Sequence, residues 1–104
     1  MNNHDIASIV RERLNRILSS MEKQANVAEY YPPEMQPFAE HMEQIREYIN
    51  IAGEFSIAYE SIVASLETLP FSLTGKESVA LLELGLIMRY KTTDEQDRIY
   101  DSSY

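Results

Sequence analysis

The chain has no cysteine and no tryptophan, only three glycines, and nine basic residues against seventeen acidic ones in 104. Without cysteine there is no disulfide and no thiolate zinc site, and nothing points to an oxidising compartment. Gly53, Gly75 and Gly85 stand alone, so there is no glycine-rich loop to cradle a phosphate. The formal net charge of −8 argues against nucleic acid or an anionic membrane as partner, because both demand a cationic footprint. Long hydrophobic runs are missing too: the longest, Val79–Met88, is about half a bilayer span and contains Glu83. The opening M-N-N-H-D-I-A-S-I-V lacks a basic region followed by a long apolar stretch, so no signal peptide is expected. The resulting expectation is a soluble cytoplasmic protein.

Catalytic and metal-binding chemistry is equally scarce. The two histidines are His4, close to the terminus, and His41, on the flank of a predicted helix and expected at its surface or boundary. There is no H-E-x-x-H, nor the inward-facing E-x-x-H pairs of di-metal bundles. Asp94, Glu95 and Asp97 lack the glycine and terminal glutamate of a calcium loop. The reading is of a non-enzyme, with no catalytic residue, metal or cofactor.

What is present is helical periodicity. Ile6, Ile9, Val10, Leu14, Ile17, Leu18 and Met21 recur at three- and four-residue steps and predict an amphipathic helix over Asp5–Gln24. A proline-rich loop follows over Asn26–Pro37, where Pro32 and Pro33 cannot continue a helix. Pro37 suits the first turn of a second helix running to Ala52, with Phe38, Met42, Ile45, Ile49 and Ala52 in one arc. Gly53 stops it. A third helix over Glu54–Thr68 carries Phe55, Ala58, Tyr59, Ile62, Val63 and Leu66 on its inner side, with Leu69 just beyond, and so short a link makes an antiparallel hairpin.

Thr74-Gly-Lys-Glu77 reads as a capping box opening a fourth helix over 76–89. That helix is apolar on most sides, which predicts the most buried element. The tail over 92–104 is either a short last helix or frayed chain. The fold class is therefore all-α, one domain, a bundle of four main helices.

Charge is unevenly spread along this framework. Residues 1–25 carry a net +1, whereas Asn26–Glu67 holds eight glutamates and a single basic residue, Arg46. These acids lie in helix-forming sequence and so predict an ordered negative surface. At about 100° per residue, Glu40, Glu43 and Glu47 fall together, opposite the Phe38–Ile49 stripe. The plain alternative is a solvated helix face. Against it, like charges at helical spacing cost a few tenths of a kcal/mol per pair, and interspersed lysine would avoid that cost. Seven tyrosines add amphipathic contact area. Tyr48 edges the same helix, and Tyr30 and Tyr31 lie in the proline-bracketed loop. Glu40, Glu43, Glu47 and Tyr48, with Tyr30 and Tyr31 as a second patch, are the candidate partner-binding residues.

The stretch from Ile45 to Met88 resembles small all-helical bacterial immunity proteins of the Maf and contact-dependent growth inhibition toxin systems. The shared pattern is a helix ending in Gly-Glu, then an aromatic, an apolar-Ala pair and an acid: Gly53, Glu54, Phe55, Ile57, Ala58 and Glu60. The run S-L-T-G-K-E-S-V-A-L-L-E-L-G-L-I-M is similar to the capped helix that follows in such proteins. The resemblance implies a small cytoplasmic toxin inhibitor that binds the C-terminal toxin domain of its own system, often an RNase, without contacting nucleic acid itself. The family has no fixed binding motif, so no contact residue carries over. A reading of another class stays open: a helical adaptor or regulatory subunit that buries Val79–Met88 against a copy of itself as a homodimer.

Overall fold

The computed structural model describes residues 3–88. Helix α1 (Asn3–Glu22) is followed by a 3-10 segment (Ala25–Tyr30), α2 (Phe38–Asn50), α3 (Phe55–Thr68) and α4, which occupies 75–88. There is no strand among the described residues, and the chain is an all-α single domain. The tail over 92–104 and its suggested short helix lie outside the described residues.

The core follows from the helical spacing of apolar side chains. Val10, Leu14, Ile17, Leu18 and Met21 of α1 meet Met42, Ile45 and Ile49 of α2 and Ala58 and Ile62 of α3. Ile6, read as part of the same stripe, lies outside this core and is exposed. Ser65 is also buried; its hydroxyl donates back to the Ser61 carbonyl at 2.7 Å, which satisfies it inside α3.

The helix ends are decided locally. Pro37 sits just before α2 and not within it, with its carbonyl accepting the His41 N–H at 2.9 Å. At the other end α2 stops at Asn50, short of the expected Ala52, so Ala52 is exposed and Ile51 stands 80% exposed. Gly53 takes a positive φ of 65°, and the Glu54 N–H folds back to the Tyr48 carbonyl at 2.8 Å. The capping box at α4 is reciprocal: Glu77 N–H donates to Thr74 Oγ1 at 3.1 Å, and Thr74 N–H donates to Glu77 Oε1 at 2.9 Å.

Helix α1 runs antiparallel to α2 and to α4, and α3 runs antiparallel to α4. Paired Asn15 and Asn50 amides (2.9 Å) and the Arg46–Glu22 ion pair join α1 to α2. Arg13–Glu83 (2.6 Å) and Ser20–Glu77 (3.1 Å) join α1 to α4. On α3, Tyr59 lies against Gly85 and Ser56 against Met88. Helix α1 also packs on α3, and α2 packs on both.

The expectation that α4 is the most buried helix is corrected by the structure. Leu84 is its one fully buried side chain among the described residues, whereas Val79, Leu82 and Leu86 are 54%, 67% and 55% exposed. An edge helix can bury only the side that meets neighbours, whatever the composition of its other faces.

Candidate partner-binding surface

All eight glutamates between 26 and 67 are exposed: Glu29, Glu34, Glu40, Glu43, Glu47, Glu54, Glu60 and Glu67. None forms an ion pair among the described residues. Arg46, the only cation of that stretch, is drawn across to Glu22 of α1. Among the described residues the local acidity is thus left without a counter-charge.

Helix α2 arranges three of these carboxylates. With Met42, Ile45 and Ile49 turned into the core, Glu40, Glu43 and Glu47 must line the outer side, along a ridge of about 10 Å. Glu40 lies in the first turn, where the helix dipole favours an acid. Glu47 lies toward the other end, where the dipole disfavours an acid and no basic residue is placed. Helix stability alone would prefer lysine there.

Beside the ridge runs a strap of polar side chains. Gln36 donates to Gln44, which in turn donates to the Tyr48 hydroxyl at 3.2 Å. Tyr48 is half-buried, its ring against the core edge and its hydroxyl at the surface.

The two loop tyrosines part company. Tyr30 is 57% exposed, whereas Tyr31 is half-buried and its hydroxyl lies 2.8 Å from His41 Nδ1. Tyr31 also meets Phe38 edge-on at 5.8 Å, and Phe38 stacks on Phe71 at 6.1 Å. Tyr31 is therefore an anchor that fastens the loop onto the start of α2, leaving Tyr30 as the loop's exposed aromatic.

His41, expected at the surface or boundary, is only 8% exposed. Burial lowers its pKa below the ordinary value and pushes the Tyr31 phenol up to about 12. Both groups are neutral at neutral pH, and a single proton is shared between the phenol oxygen and Nδ1, its donor set by the imidazole tautomer. One sequence signal points to this place: His41 stands three residues after Phe38 and four before Ile45, on the edge of the inward arc.

A second clamp could not be read from local sequence. The Gln24 amide binds the backbone of Ser72 in both directions, donating to its carbonyl and accepting its N–H, each at 2.8 Å. It pins the α3–α4 connection to the end of α1, and the Phe38–Phe71 stack holds the same connection against α2.

The concave features are open grooves. One of about 480 Å³ lies between α1 and α4, with Arg13, Arg16 and Lys76 along it. The described residues contain no group of three or more side chains able to hold a metal ion, and no helix long and apolar enough to cross a membrane. Among the described residues, exposed glutamates thus lie on α2, on α3 and on the segment before α2, while Arg13, Arg16 and Lys76 line the α1–α4 groove. Comparison with protein-family models, curated proteins and solved structures finds no match for this chain.

Proposed function

We propose that this chain is an immunity protein that binds a basic bacterial toxin domain in the cytoplasm and blocks it, performing no reaction of its own. The observation that carries this reading is the set of eight exposed glutamates that form no ion pair among the described residues, three of them fixed in a ridge on α2. An RNase must offer cations to a phosphate backbone, and an anionic helical face of fixed shape competes for that groove. Such complementarity speeds encounter and keeps RNA out. The resemblance around Gly53–Glu60 and in the capped helix after Thr74 supports the same reading. Tyr48 at the edge of the ridge, and Tyr30 on the loop anchored to the start of α2, supply aromatic contacts beside the charge. The complex should bury roughly 1,200–2,000 Å² in total.

The test is co-expression with the product of the adjacent gene, scoring growth rescue, followed by association kinetics on the purified pair. The triple substitution Glu40→Lys, Glu43→Lys and Glu47→Lys should lower the on-rate about ten-fold or more at low salt and flatten its salt dependence. A triple variant that binds and protects like the parent would remove the ridge from the mechanism.

A further inference from the structure

The bundle leaves a second surface open, on the outer side of α4. Val79, Leu82 and Leu86 follow the three- and four-residue steps of a helix-pairing seam, and each is more than half exposed. At about 100° per residue, Gly75 and Ser78 complete this face, and no charged residue of 75–88 falls on it. Lys76 and Glu83 lie on its flank, and Glu77 lies behind. Arg13 neutralises Glu83 at 2.6 Å, while Glu77 is occupied by Thr74 and Ser20.

With a formal charge of −8, two copies of this chain repel through most approaches, most of all ridge to ridge. The α4 face meets a copy of itself without bringing unpaired carboxylates together.

We propose that this face is a self-association surface, on which two chains pair isologously through antiparallel α4 helices. Val79 and Leu86 stand three and four residues either side of Leu82. A twofold axis at Leu82 therefore sets it against the partner's Leu82, and Val79 against the partner's Leu86. The same axis brings two Arg13–Glu83 pairs to one edge, a neutral group of four charges. Three anchoring side chains are few beside the roughly 20–30 residues a side of a stable complex. The dimer is accordingly weak, with a dissociation constant on the order of tens of micromolar. The α4 face and the α2 ridge lie on different helices and share no residue, so the inference stands independently of the toxin reading.

The test measures the mass of the full chain by light scattering and sedimentation, from well below to well above that concentration. The mass should rise from monomer to dimer, and Leu82→Glu should stay monomeric throughout. Leu82 is two-thirds exposed, so this variant keeps the parent's circular dichroism spectrum. The absence of cysteine permits a second measurement: under oxidation, Leu82→Cys should form a covalent dimer at least about ten-fold faster than Glu43→Cys. A parent that remains monomeric at the highest concentration, a Leu82→Glu variant that dimerises equally well, or equal cross-linking of the two cysteine variants would overturn the proposal.

Discussion

Replacing Gly85 with alanine probes how α4 is seated on α3, and hence which of its faces points outward. A Cβ at Gly85 would fall 2.5 Å from the Tyr59 hydroxyl oxygen and 3.4 Å from the ring carbon that bears it. Ordinary van der Waals contact begins at 3.4 Å, so the hydroxyl would have to retreat by about 0.9 Å, the difference between those distances. Two effects of opposite sign then compete. Alanine is favoured over glycine in a helix interior by about 1 kcal/mol. Overpacking a well-filled contact costs about 1–3 kcal/mol. Gly85→Ala alone should therefore leave stability unchanged or lower it by up to about 2 kcal/mol, at about 4–8 °C in Tm per kcal/mol for a domain near this size. In a Tyr59→Phe background the obstructing oxygen is gone and the nearest remaining atom is at ordinary contact distance. There Gly85→Ala should stabilise by up to about 1 kcal/mol. Urea denaturation followed by far-UV circular dichroism on the four proteins of the cycle gives the coupling, expected at about 1–3 kcal/mol. Equal effects of Gly85→Ala in both backgrounds would refute the described seating of α4.

Further expectations concern the anchor and the helix ends. His41 is buried with a lowered pKa, so the unfolded chain takes up its proton first as pH falls. Stability should decline below pH 6.5, by at most about 1.4 kcal/mol per pH unit, and His41→Gln should flatten that slope between pH 6.5 and 5 in urea titrations. The Glu77 carboxyl is held below its usual range chiefly by the Thr74 N–H, so its contribution is complete above pH 4.5 and fades as pH falls through the lowered value. Thr74→Ala removes half of the capping box and should cost about 1 kcal/mol by thermal denaturation. Gly53→Ala forces an L side chain into left-handed backbone and should cost about 1–2 kcal/mol, although open space surrounds the site.

Much of the architecture was legible because it is local. Apolar side chains at three- and four-residue steps marked α1, α2 and α3, and the described part of α4 matches the helix opened by the Thr74–Glu77 box. The Gly53 turn was visible as a stop because glycine alone takes a positive φ without strain. The ridge on α2 was legible as a wheel, since the inner stripe dictates what lies opposite. Tyr31 was not, because its hydroxyl is claimed by a histidine ten residues away. Arg46 gave no sign of leaving its acidic neighbours for Glu22, a choice made by the packing of α1 on α2.

Residue order by itself therefore determined where helices start and stop, which side of each amphipathic helix is apolar, and how much acid the middle of the chain carries. These follow from backbone hydrogen bonding, side-chain spacing and charge, which act within a few residues. The tertiary structure decided which apolar face finds a neighbour and which carboxylates find a cation. Helix α4 is the clearest case: apolar nearly all round, it sits at the edge of the bundle, so packing against α1 and α3 buries Leu84 and leaves Leu82 in water. Burial depends on a surface being met from the other side, and that meeting is a property of the assembled fold.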